Sequence, residues 1–150
     1  MRELLLDGLD EAYLRKAWHG PTLRGALRGV TVEQALWRPA GGRHNIWELT
    51  LHCAYWKYAV RRKLTRERRG SFPRPGSNWL PLPPPTPQAW RADLQLLGDE
   101  HRALRRAVEE LPAARVERAM RLIRGVAYHD LYHGGQISLL KRLAAPVSFR

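Results

Sequence analysis

Two histidines stand four residues apart in YHDLYHGGQ, residues 128–136. In a helix, positions i and i+4 stack on one face, so His129 and His133 can offer imidazole nitrogens to one ligand. A neutral imidazole binds divalent ions, but two donors from one helix rarely suffice. His52 lies amid an apolar helical pattern beside Leu49 and Trp56 and is the natural third donor. Three histidines around one ion leave a coordination position open, which is the arrangement of a catalytic rather than a structural zinc-type site. A catalytic base and plain polar packing compete with this reading, because H-x-x-x-H recurs by chance in many helices. Asp130 stands where the zinc-protease pattern H-E-x-x-H has its glutamate. Its carboxylate is one carbon shorter, so no general-base role follows for it.

Residues around these three have both structural and functional readings. Glu48 precedes His52 by one turn and can either accept a hydrogen bond from a ligand histidine or simply favour the helix N-terminus. Gln136 follows His129 by seven positions and shares its face, where it can orient a water or substrate or bond a neighbouring helix. His44 precedes the helix and is placed at the pocket mouth. Trp56, beside His52, and Trp79, in a long connection, are the two of the six tryptophans expected near the site, as walls of a pocket for a modest organic molecule. His101 falls on an apolar stripe and reads as core or dimer interface. Cys53 points about 100° away from His52 and reads as packing. His19 sits at a kink, with reach toward the end of the site.

The elements that must position these groups are helices. Residues 2–18 are expected to form a first helix, broken at Gly20-Pro21 and continued through Leu23, Leu27 and Val30. Thr31-Val32-Glu33-Gln34 reads as a capping box, and Pro39–Gly42 as a loop. Asn45 caps a second long helix reaching about Leu64, with Ile46, Leu49, Cys53, Trp56 and Val60 at core spacing. GSFPRPGSNWLPLPPPTP then holds seven of the chain's eleven prolines, an ordered strap too long for a bundle turn. Thr86-Pro87 opens a third helix whose stripe runs Trp90, Leu94, Leu97, His101, Leu104, Val108, Leu111 until Pro112. The last helix spans roughly Val116–Leu143, stopped by Pro146. No period-2 strand and no internal repeat is evident. The pattern predicts an all-α fold, a four-helix bundle with one long crossover, in a single domain over 1–150.

Composition sets the outer limits. The chain has 150 residues, 44% hydrophobic and 27% charged, which is globular composition. No apolar run suffices to cross a bilayer, and the acid-bearing N-terminus MRELLLDGLDEAY is not expected to be a signal peptide. One cysteine suits a reducing, cytoplasmic setting. The net charge of +12 invites nucleic acid. However, 22 of the 26 basic residues are arginine, mostly scattered, and the dense run RRKLTRERR at 61–69 reads as a solvated helix end. Nucleic-acid binding ranks last.

HNIWELTLHCAYW (44–56), the proline-rich crossover and YHDLYHGGQISLLKR (128–142) together resemble the DinB/YfiT-like family of metal-binding four-helix bundles, over nearly the whole chain. His133-Gly134-Gly135-Gln136-Ile137 matches the most specific part of the family's pattern. The resemblance implies up-down-down-up connectivity, ligands at His52, His129 and His133, and one divalent ion, nickel, zinc or similar. It also implies frequent homodimers and, in some relatives, thiol S-transfer or isomerisation with a low-molecular-weight thiol. The expectation is a metal-dependent enzyme acting on a small-molecule substrate, with a non-catalytic metal-binding protein as the alternative.

Overall fold

The computed structural model describes residues 1–144. The chain forms six helices, α1 (Arg2–Tyr13), α2 (Leu23–Leu27), α3 (Val32–Leu36), α4 (Ile46–Thr65), α5 (Pro87–Glu109) and α6 (Ala113–Leu143), and no strand among the described residues. No helix among them is long and apolar enough to cross a membrane. The expected Pro146 stop lies outside the described residues; α6 closes at Leu143 with Ala144 as its cap.

Most starts follow their capping chemistry. Asn45 accepts from the Glu48 amide at 2.9 Å while the Glu48 carboxylate accepts from the Asn45 amide at 3.1 Å, so two orphan donors of α4 are satisfied reciprocally. Thr31 and Gln34 do the same for α3. Thr86 accepts from Ala89, and Pro87 takes the first turn of α5, where its missing N–H costs nothing.

The first helix is shorter than the spacing suggests, ending at Tyr13 rather than residue 18. The amides of Leu14 and Arg15 both turn back to the Asp10 carbonyl, and the chain then folds into an Ala17–Gly20 bridge that Gly20 permits at φ +113°. Trp18 is fully exposed there, so continuing the helix would bury nothing. The strap between α4 and α5 is tied down as expected. Phe72 packs on Tyr55 and Tyr58, Leu80 is buried, and Arg74 donates to Asp93 at 3.0 Å.

The long helices pack in a ring, α1 on α5, α5 on α4, α4 on α6 and α6 on α1. Between α4 and α5, Trp47 bonds Asp93 and Arg61 bonds Glu100. Between α4 and α6, His52 meets His133, Lys57 meets Asp130, and the Leu64 carbonyl accepts from Arg115. Between α1 and α5, Asp10 meets Arg105 and Tyr13 stacks on His101. One apolar core surrounds Trp47, Leu51, Trp90 and Ile137; a second, around Leu9, Leu104, Val108 and Ile123, fills the other end. The triad of histidines lies between α4 and α6.

Candidate metal centre

His52, His129 and His133 come together. The Nε2 of His129 lies 3.0 Å from that of His52 and 3.1 Å from that of His133. His52 and His133 are buried and His129 is half-buried. Burial lowers all three pKa values, to about 4 for His52 and about 3 for His129, with the neighbouring imidazoles pushing His129 down further. All three are therefore neutral at pH 7, the state a metal needs.

Two outer partners fix which nitrogen carries the proton. The Nδ1 of His52 faces the carbonyl of Asn78 at 3.0 Å, and a carbonyl can only accept, so the proton is on Nδ1. The Nδ1 of His133 faces Gln136 Oε1 at 2.6 Å, while the amide nitrogen of Gln136 donates to the Tyr132 hydroxyl. Both Nε2 atoms are consequently bare lone pairs aimed at one point. His129 Nε2 can donate a proton to only one of them, so the cluster cannot satisfy itself by hydrogen bonding. A cation resolves this. Nitrogens bound to one ion at about 2.0–2.1 Å stand about 3 Å apart, as His129 Nε2 does from both partners, and the three residues can hold a metal ion. Cys53, His129 and Asp130 form a second close group. It is poorer in chemistry, because burial raises the Cys53 thiol well above its ordinary pKa and Asp130 is engaged by Lys57.

The aromatic residues are placed as the sequence suggests. Trp79 is sandwiched between His44 and His52, parallel to both, with ring centroids 3.6 and 3.9 Å away. Trp56 meets His52 edge-on and, at 36% exposure, faces the site's solvent side instead of joining the buried stripe. His44 is exposed on the outer face of Trp79. Cys53 is wholly buried, as packing requires. His101 is core, under Tyr13, and the exposed His19 stays in its turn.

Glu48 differs from one of its two readings. Its carboxylate bonds Arg38, His44 and the Asn45 amide, and touches no ligand histidine. The Arg38 and Asn45 bonds hold its pKa down against the opposing effect of burial. The outer partners are Gln136 and the Asn78 backbone. Nothing in the residue type at 78 announces a carbonyl acceptor; the one signal is an asparagine beside Trp79 in a proline-rich strap, where a left-handed residue is tolerated (φ +60°).

Lys57 and Asp130 form a buried pair that the sequence pattern did not single out. They pair side by side with no exposure, five residues after His52 and one after His129, with His101 Nδ1 at 3.4 Å from Lys57 Nζ. Lys57 lies one turn past Cys53 on the core face, and that spacing is the signal that could have found it.

Comparison with curated proteins and with solved structures returns no match. The DinB superfamily model matches residues 13–137, a span that contains the triad, the strap and both outer partners. The chain belongs to the DinB superfamily.

Proposed function

We propose that His52, His129 and His133 hold one divalent ion, nickel, zinc or similar, and that the chain is a metal-dependent enzyme acting on a small molecule, with thiol S-transfer the most concrete reaction. The observation that carries the metal is the pair of outward-protonated imidazoles, His52 on Asn78 and His133 on Gln136, whose free Nε2 atoms converge with that of His129. Three protein nitrogens leave room for a further ligand. When bound, the ion supplies Lewis acidity that lowers the pKa of a water or thiol to give a nucleophile near neutral pH. Asn78 and Gln136 hold two imidazoles in the metal-binding tautomer, and Trp79 fixes the plane of His52. Trp56 and Trp79 shield the site from bulk water.

The scaffold is read as one four-helix bundle, up-down-down-up. Residue numbers rise together from Trp47–Asp93 to Arg61–Glu100, and in opposition from His52–His133 through Lys57–Asp130 to Leu64–Arg115. That pattern supports α4 parallel to α5 and antiparallel to α6, as a long strap allows. The buried lone thiol of Cys53 is in keeping with a reducing cytoplasm.

The test is elemental analysis of untagged protein and its His133→Ala variant after dialysis against a weak chelator, with helicity checked by circular dichroism. About one equivalent of metal in the wild type, lost in a helical variant, is expected. No metal in the wild type even after adding nickel or zinc back refutes the reading.

A further inference from the structure

A hollow of 690 Å³ beside Arg24, Arg28 and Arg91 is lined by none of the three histidines. A smaller one, 230 Å³, opens directly beside His129. Its floor is Trp56, Val60, Leu122 and Val126, and its far end carries Lys63 and Arg121. It has no acidic lining residue, and neither cation has an ion-pair partner among the described residues.

The spacing explains the shape. Along α4 the wall residues Trp56, Val60 and Lys63 succeed His52 by turns, and along the opposed α6 Val126 and Leu122 recede from His129 by turns, with Arg121 next to Leu122. At 1.5 Å per residue, Lys63 lies about 16 Å from the level of His52 and Arg121 about 12 Å from that of His129. An apolar trough therefore starts at His129 and ends at two long cations without ion-pair partners among the described residues, both of which line it.

Gly125 also lines the trough. It sits mid-helix in the trough wall, where glycine costs about 1 kcal/mol relative to alanine. A methyl added there would meet nothing within 4 Å. A larger side chain there would therefore project into the trough rather than against a neighbour.

We infer that this trough binds a small organic anion, an apolar body of medium-chain length whose carboxylate is held by Lys63 and Arg121 and whose other end lies against His129 of the cluster. As a statement about the substrate it rests on the metal-dependent reading above; as a binding site it stands without it. At roughly 30 Å³ per water the volume equals about eight waters, which suits a chain of about eight to ten heavy atoms. The apolar wall excludes a polyanion, and the cations disfavour an amine of the same length.

The probe is octanoate, titrated by calorimetry into metal-loaded protein and into protein stripped by a chelator, with octylammonium as the opposite charge. Octanoate is expected to bind one to one in both, and octylammonium at least about tenfold more weakly, as a charge-assisted contact requires. The Lys63→Gln/Arg121→Gln double variant should weaken octanoate about tenfold or more. Gly125→Leu, which has room for its side chain and improves helix propensity, should abolish it while the protein stays fully helical. Metal content measured on the same samples should match the wild type throughout. The inference is overturned by absence of saturable octanoate binding, by equal binding of octylammonium, or by an unchanged affinity in the double variant, which would put the carboxylate on the metal instead. Absence of metal in the wild type sinks the enzymatic reading alone, because the octanoate titration of stripped protein is read independently of it.

Discussion

Lys57 of α4 and Asp130 of α6 meet with no solvent exposure, and His129 immediately precedes Asp130 in the chain. The pair locks α4 against α6 at the level of the histidines, so it sets the register in which His52 faces His129 and His133. Burial pushes the Asp130 carboxyl up while Lys57 pulls it down. Removing one partner strands the other, which typically costs about 3–5 kcal/mol. Asp130→Leu should lose stability of that order in urea titrations. Lys57→Met combined with Asp130→Leu should recover most of it, since an apolar pair strands no charge. A double variant as unstable as the single one would show that the pair does more than balance itself.

Gln136 and Glu48 should separate cleanly. Gln136 receives the His133 proton at 2.6 Å, whereas Glu48 caps α4 and pairs with Arg38. Gln136→Leu is expected to weaken metal binding about 10–100-fold, as loss of an outer partner of a ligand histidine does. Glu48→Ala should cost stability of about 1 kcal/mol, the scale of a lost cap, and leave metal affinity within about twofold. Competition titrations against a chromogenic chelator measure the first, and thermal melts the second.

Asn78 offers its backbone carbonyl to His52 and its side chain to the Trp56 indole from a left-handed conformation. Asn78→Gly keeps that conformation and the carbonyl, so metal affinity should hold while Trp56 fluorescence changes. Asn78→Val forces a β-branched residue to positive φ, at about 1–3 kcal/mol, and should weaken metal binding as the carbonyl swings away. Equal affinities in the two variants would remove the carbonyl from the account.

Acid should destabilise the metal-free protein before its carboxylates titrate. His52 and His129 have pKa values near 6.5 when unfolded and about 4 and about 3 when folded. Between those values the unfolded chain binds more protons, so stability falls as pH falls. It should be level above about pH 7.5, decline from about 6.5 to about 4, and fall further below about 4.5 as Glu48, whose folded pKa is lowered, loses its contacts. Urea midpoints at intervals from pH 8 to 4 measure this. Added nickel or zinc should lift the curve most near neutral pH and least at pH 4, where protons displace the ion.

What the sequence by itself determined was local. Helix starts at Asn45, Thr31 and Thr86 follow from caps whose partners lie within three residues. The i, i+4 spacing puts His129 and His133 on one face whatever packs against it. Mid-helix placement in an apolar pattern made His52 the third donor, and the two aromatic neighbours came with it. Tertiary structure decided what depends on distant partners. Asn78 acts through a carbonyl, a group every residue has, so only the path of the strap could select it. Lys57 and Asp130 are 73 positions apart, and a charged residue is legible as core only once its partner is seen across the helix interface. Helix α1 ended at Tyr13 because Asp10 and Tyr13 meet Arg105 and His101 of α5, whereas Trp18 beyond is fully exposed. Glu48 sat on the expected turn, and its three nearer partners, rather than its spacing from His52, settled what it holds.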